Sequence, residues 1–214
     1  MKTSVILLLI VTACRADTIQ LNSGVSANEW NNVTGTNVII EPNPVWAWAP
    51  NAHWISYADT GLYGIIAPNA TGNTPTASFY QDFYMTPGNN RAVGDITVWA
   101  DDTASVYIDN ALLITRNQSL GQYCSAGPIG CIQTNGATLH FDILGDTGTK
   151  HTLRFDVFQQ WGDVFGLQYT GSVTFSDPPP PVTPNPEPGS LGVLGGGLLA
   201  GMLFLRKRQA RKSE

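Results

Sequence analysis

The sequence predicts an all-β fold, a β-sandwich or jelly roll, set between an N-terminal signal peptide and one short C-terminal transmembrane helix. Three observations predict it. Thr, Val, Tyr, Phe and Trp recur in short runs split by Asn, Gly, Asp and Pro, the composition of strands and their turns. Within those runs apolar and polar residues alternate with a period of two. No long apolar stripe with the 3.6-residue period of a helix crosses the body. The 214 residues divide into a signal peptide (1–16), a β-sandwich domain (17–176), a Pro-rich linker (177–189), a membrane helix (190–205) and a basic tail (206–214). A body of about 160 residues suits one domain with a good-sized core.

The N-terminal segment reads as an export signal. Lys2 supplies its charge and Val5 to Val11 its apolar stretch, and Cys14-Arg15-Ala16 forms a small-x-small cleavage site before Asp17. Val11-Thr12-Ala13-Cys14 also resembles a lipobox, which would make Cys14 a lipid-modified N-terminus. The mass of the mature protein distinguishes the two.

The body follows in order. Thr36 to Glu41 contains Val38-Ile39-Ile40, an early strand; Pro44 and Pro50 then bracket Trp46 and Trp48, and His53-Trp54-Ile55 follows. In the strand Ala77 to Met85, alternation puts Phe79, Gln81, Phe83 and Met85 on one face. Ile96, Val98 and Ala100 alternate with Thr97, Trp99 and Asp101, and a tight link to Val106-Tyr107-Ile108 predicts a hairpin. Asp109-Asn110 suits the positive φ angles of a type I′ turn into Leu112-Leu113-Ile114. Near the end, Leu139, Phe141 and Ile143 face one way and His140 and Asp142 the other. Leu153, Phe155 and Val157 face inward, as do Leu167, Tyr169, Val173 and Phe175, the pattern of half-buried antiparallel strands.

The stretch from Thr97 to Asn110 resembles the central hairpin of galactose-binding-like jelly rolls, with Ala100-Asp101-Asp102 in the place of their Ala-Asp-Asp turn. Asp109-Asn110-Ala111 stands where those domains often have an Asn-Gly turn, which is a departure. His151 to Val157 and Gly166 to Gly171 are similar to their final strands. The resemblance implies a fold more firmly than a ligand. It also implies a possible structural Ca²⁺, for which Asp101, Asp102 and Asp163 are the candidates; no loop has EF-hand spacing.

From Asp17 to Pro178 four basic residues stand against fourteen acidic ones. So acidic a body excludes nucleic acid as a partner, since that needs clustered Lys and Arg. With Cys14 removed, Cys124 and Cys131 remain, and an even pair in an exported domain reads as a disulfide closing a small loop.

No catalytic constellation stands out. His53, His140 and His151 lack metal-ligand spacing, and there is no G-x-S-x-G elbow or phosphate loop. His140 and Asp142 fit a solvated strand face. Asp101 and Asp102 are the only adjacent carboxylates, but neighbours on a turn point apart, and one capping the turn through backbone N–H groups is the simpler expectation. Aromatic residues carry the better hypothesis. Trp99 and Tyr107 lie opposite the core-facing valines, and Trp161 sits between two strands in Gln159-Gln160-Trp161-Gly162-Asp163. Flat rings beside amides and carboxylates suit sugar binding, which makes Trp99, Tyr107, Gln160, Trp161 and Asp163 the candidates. The competing reading is that these tryptophans, with Trp46, Trp48 and Trp54, fill the core. The connection from Thr115 to Gly136, holding both cysteines, is the natural binding rim.

The C-terminus has three parts: prolines ending in Pro186-Glu187-Pro188, an apolar run from Leu191 to Leu205, and Arg206, Lys207, Arg208, Arg211 and Lys212. As a helix, the 15-residue run covers about 22 Å, short of the ~30 Å hydrocarbon core. The basic cluster places it on the cytoplasmic side. The order resembles the PEP-CTERM sorting signal. That resemblance implies a bacterial protein whose tail anchors it in the inner membrane until an exosortase processes it. The expectation is an exported, non-catalytic surface or matrix protein that binds extracellular polysaccharide. The alternatives are a structural matrix protein without a specific ligand, or a secreted hydrolase.

Overall fold

The computed structural model describes residues 16–26, 28–68, 74–116, 128–160 and 162–177. All of them lie in one compact unit, Met1–Pro178; the second unit, Pro179–Glu214, contains none. Residues 1–15 of the signal peptide, Cys124, Trp161, the Pro186-Glu187-Pro188 motif and the C-terminal helix therefore lie outside the described residues. Among the described residues, no helix is long and apolar enough to cross a membrane.

Eleven strands are described: β1 (Asp17–Asn22), β2 (Glu29–Asn31), β3 (Val38–Ile39), β4 (Ile55–Ser56), β5 (Ala77–Tyr84), β6 (Arg91–Asp101), β7 (Thr103–Ile108), β8 (Ala111–Ile114), β9 (Ala137–Leu144), β10 (Lys150–Phe158) and β11 (Gly166–Ser176). They form two antiparallel sheets. One has the order β3-β4-β11-β6-β9, with β1 also pairing with β11. The other has the order β2-β5-β10-β7-β8. From β5 to β11 the chain changes sheet at every step except the β7–β8 hairpin. That interleaving of the six-stranded and five-stranded sheets is jelly-roll connectivity.

The expected alternation is clearest in β10, while β7 is buried at nearly every position and β8 at none. Leu153, Phe155 and Val157 of β10 are fully buried, as are Leu167, Val173 and Phe175 of β11. Their partners across the sandwich are Phe79 and Phe83 of β5, Ile96 and Val98 of β6, and Val106 of β7. One polar group crosses this core. The Tyr169 hydroxyl, stacked beneath Phe155, donates to Glu29 Oε1, with Gln81 Oε1 3.1 Å away. Burial pushes the Glu29 carboxyl above its ordinary value and the Tyr169 hydroxyl well above its own. Between β7 and β8, Asp109 (φ 47°) and Asn110 (φ 68°) make the turn that their side chains favour.

Two expectations need correcting. β6 and β7 do not form a hairpin: at Asp101 and Asp102 the chain passes from the six-stranded to the five-stranded sheet. Period-two alternation reports only which face is inward, so it reads the same for strands that pair and strands that cross. The early strand is shorter than expected, Val38–Ile39 alone. Pro42 and Pro44 follow closely and remove two backbone donors.

Candidate functional site: an aromatic cleft on the six-stranded sheet

Residues 40–54 join β3 to β4 across the outer face of the six-stranded sheet. Pro42, Pro44 and Pro50 keep this segment out of the ladder, so its tryptophans must find other packing. Trp54 (2% exposed) lies against Trp46 with ring centroids 4.2 Å apart, and its Nε1 donates to the Ala47 carbonyl at 2.8 Å. Both join Trp99, Ala47, Ala49, Ala52, Cys131 and Val164 in a second apolar cluster, separate from the main core. The sandwich thus carries apolar packing on an outer face that alternation alone assigns to solvent.

The segment is fastened to residues 128–136. Ala47 N–H donates to the Cys131 carbonyl, and Trp48 N–H donates to Gln133 Oε1 at 2.9 Å. That second bond holds the Trp48 backbone while its side chain stays 71% exposed. Beside it lies a cleft of about 470 Å³, whose lining includes Trp46, Trp48, Asn51, His53, Trp54 and Gln168. Its volume falls within the usual range for small-molecule and sugar sites. Gln168, on the outer face of β11 opposite Trp99, is 2% exposed. Its Nε2 donates to the Ala52 carbonyl, and its Oε1 has no hydrogen-bond partner among the described residues. A lining that holds both an exposed aromatic ring and a fixed amide has the chemistry to hold a polyol by stacking and hydrogen bonding.

The residues singled out from the sequence fall elsewhere, and they do not come together. Trp99 is 5% exposed, and its Nε1 points to the Gln133 carbonyl at 3.4 Å. Gly136 lets the chain lie on the indole, since a Cβ there would sit 2.3 Å from Nε1. Trp99 is therefore packing beneath the cleft and offers no free stacking face. Tyr107 lies on the outer face of the other sheet, half-buried under the Arg154 guanidinium at 4.0 Å. Gln160 and Asp163 belong to the β10–β11 connection. Gln160 N–H donates to Asp102 Oδ2 at 2.6 Å, and Asp163 Oδ1 accepts from Val164 N–H. Trp161, between them, lies outside the described residues.

The carboxylates also differ from expectation. Asp101 and Asp102 are both buried, and their side chains hydrogen-bond each other instead of pointing apart. Asp102 does cap backbone, but that of the β10–β11 connection and not its own turn. Among the described residues no group of three His, Cys, Asp or Glu side chains is arranged to hold a metal. Asp101, Asp102 and Asp163 are near enough for their charges to interact, yet Asp102 and Asp163 are taken up by backbone N–H groups. His140 and Asp142 pair across the strands with Asp95 and Arg91 on an exposed face, as solvated ion pairs do. Cys131 is fully buried and engaged, not free; Cys124 lies outside the described residues.

Desolvation by burial, then the neighbouring Asp102 charge, pushes the Asp101 carboxyl well above its ordinary value. A carboxyl whose folded value is raised contributes its stability below the unfolded value near 3.8. That contribution is lost as pH rises towards the folded value. Within that window the loss runs at about 1.4 kcal/mol per pH unit for one proton. Asp101→Asn, whose amide gives Asp102 the same donor without titrating, should become progressively more stable than the parent as pH rises from 4 towards neutrality. Urea midpoints at each pH measure this, and parallel profiles for the two proteins would refute it.

The sequence reasoning missed Trp48, Asn51 and Gln168 as site residues. The available signal was the Pro44–Pro50 bracket around Trp46 and Trp48: a proline-flanked segment beside a sheet cannot join the ladder and must lie on it. Which of its tryptophans turns outward was not encoded locally.

No family model matches the chain, and no curated protein matches it. Among solved structures it is similar to a GH26-CBM35 beta-(1,4)-mannanase of Podospora anserina, at 13% identity and TM-score 0.39, covering 79% of this chain but only 30% of that one. A family 35 carbohydrate binding module from Clostridium thermocellum gives 6% identity and TM-score 0.37, covering 73% of this chain and 97% of that one. A CBM35 from Paenibacillus barcinonensis gives 4% identity and TM-score 0.34, covering 71% and 97%. Likenesses this distant identify neither a family nor a ligand.

Proposed function

We propose that this chain is an exported, non-catalytic polysaccharide-binding module that engages its ligand at the Trp48 cleft. One observation carries the reading: a 71%-exposed indole, its backbone pinned by Gln133, stands at the mouth of a preformed cleft on a rigid sandwich. A single exposed aromatic is ordinary on a protein surface; what marks Trp48 is that it lines a concave site of the size that small ligands use. Loops fixed to a sandwich are where such domains carry function. Asp101 and Asp102 are buried and hydrogen-bonded to each other, an arrangement that suits a structural pair. A Cys124–Cys131 disulfide would stiffen the segment that anchors Ala47 and Trp48.

Export rests on the sequence. The signal peptide sends the body across the inner membrane. The Pro186-Glu187-Pro188 motif, apolar run and basic tail hold it there for an exosortase-type enzyme, after which it resides at the cell surface or in the extracellular matrix. A processed form lacking Leu191 to Glu214 should appear on blots of a host with active exosortase.

Glycan arrays and polysaccharide pull-downs test the binding reading. Trp48→Ala should weaken retention about 30-fold, the loss of a ~2 kcal/mol anchor, without changing the unfolding midpoint. Clean negatives for the parent protein in both assays would sink it.

A further inference from the structure

We infer that the Trp48 cleft selects neutral, hydroxyl-rich sugars over charged ones, and that Gln168 Oε1 is the acceptor that fixes their orientation. This rests on the cleft being the binding site and adds the chemistry of what enters it.

Charge makes the first half of the case. No Asp, Glu, Lys or Arg lines the cleft among the described residues, although fourteen acidic and four basic residues lie between Asp17 and Pro178. A uronic acid polymer would approach an acidic body and find no Lys or Arg in the cleft to pair with, only the His53 imidazole. An amino sugar would find no carboxylate in the cleft. A neutral polyol meets neither penalty: its apolar ring face covers the Trp48 indole, and its hydroxyls supply donors.

Gln168 makes the second half. Its Nε2 is committed to the Ala52 carbonyl, which fixes which end of the amide is free. The free end is Oε1: the residue is 2% exposed, and Oε1 has no partner among the described residues. A buried, unsatisfied acceptor in the lining of a cleft calls for a donor. With under 1 Å² of its own surface open, Oε1 meets a sugar O–H, directly or through a single bridging water, once the lining side chains shift to admit it. Gln168 pairs with Trp99 of β6 in the ladder and its Nε2 is tied to the Ala52 carbonyl, so the amide is held in place.

The test uses affinity electrophoresis of the full-length protein through gels containing mannan, xylan, mixed-linkage β-glucan, alginate, polygalacturonate or chitosan. At least one neutral polymer should retard it equally at about 20 mM and about 500 mM NaCl, and the charged polymers should not retard it. Gln168→Met, similar in volume but without the acceptor, should weaken that retardation about tenfold with tryptophan fluorescence unchanged. If the substitution disturbs the fluorescence, the polymer panel on the parent protein decides the selectivity by itself. Retardation by alginate, polygalacturonate or chitosan that disappears in salt overturns neutral-sugar selectivity while leaving a binding cleft. Retardation abolished by Trp48→Ala but untouched by Gln168→Met overturns the role of Gln168 alone. No retardation by any polymer overturns the binding reading and this inference together.

Discussion

Gly171→Ala leaves no stably folded domain. Gly171 sits in the middle of β11, paired with Ile96 of β6 on one side and Leu21 of β1 on the other. A Cβ there would lie 2.2 Å from the Asp95 carbonyl oxygen and 2.8 Å from the Ile96 Cα. Those are backbone atoms of a strand that is itself hydrogen-bonded to β9 on its far side, so the clash cannot be relieved by turning a side chain. Relief means parting β11 from β6, the longest pairing in the fold, which runs from Gly166↔Asp101 to Ser176↔Arg91. The expected loss exceeds about 4 kcal/mol, a range reserved for severe core defects and a large share of the 5–15 kcal/mol of a typical domain. Gly148→Ala is the control. Its added Cβ meets nothing within 4 Å, and the positive φ of 80° is the only strain, worth about 1–2 kcal/mol. Urea unfolding of both variants checks the contrast; a Gly171→Ala protein within about 1 kcal/mol of the parent would mean β11 is not registered on β6 as described.

The difference between those two glycines also shows what the sequence carried. Inward faces were legible because alternation over five or more residues admits one assignment: Leu153, Phe155 and Val157 could not be buried without Arg154 and Asp156 facing out. The Asp109-Asn110 turn was legible because the positive φ it needs is local chemistry. The close approach at Gly171 was not, since it depends on where Asp95 comes to rest, 76 residues away in sequence. The same limit governs the site. Alternation placed Trp99 on an outward face correctly, yet residues 40–54 and 128–136 cover that face and bury it. Outward from a sheet is exposed only where no loop returns. The exposed indole instead comes from a proline-bracketed loop with no period to read, and its amide partner Gln168 sits more than a hundred residues further on.

Trp54→Ala should abolish binding at the cleft while the jelly roll stays folded. Trp54 joins the two parts of the site: its ring supports Trp46, its Nε1 holds the Ala47 carbonyl, and Ala47 N–H is tied to Cys131 next to the Trp48 anchor. Deleting a buried indole costs about 3–5 kcal/mol, and here it also frees the Ala47 carbonyl. The cost falls mainly on the outer cluster, because Trp46, Trp54 and Trp99 share no cluster with Phe79, Phe155 or Phe175 of the main core. Local opening of such a satellite needs less free energy than global unfolding, so residues 40–54 should come loose first. Hydrogen exchange at the Trp46, Ala47 and Trp48 amides should rise by about a hundredfold or more, following a local loss of ~3 kcal/mol. Amides in β10 should keep most of their protection. Trp54→Phe, which keeps a ring against Trp46 but not the Nε1 donor, should fall between. If β10 and residues 40–54 lose protection together, the two clusters are one cooperative unit, and the cleft is then as rigid as the sandwich itself. If Trp54→Ala binds like the parent, either the Trp48 indole needs no support from Trp54 or the site lies elsewhere on the molecule, and Trp48→Ala separates the two.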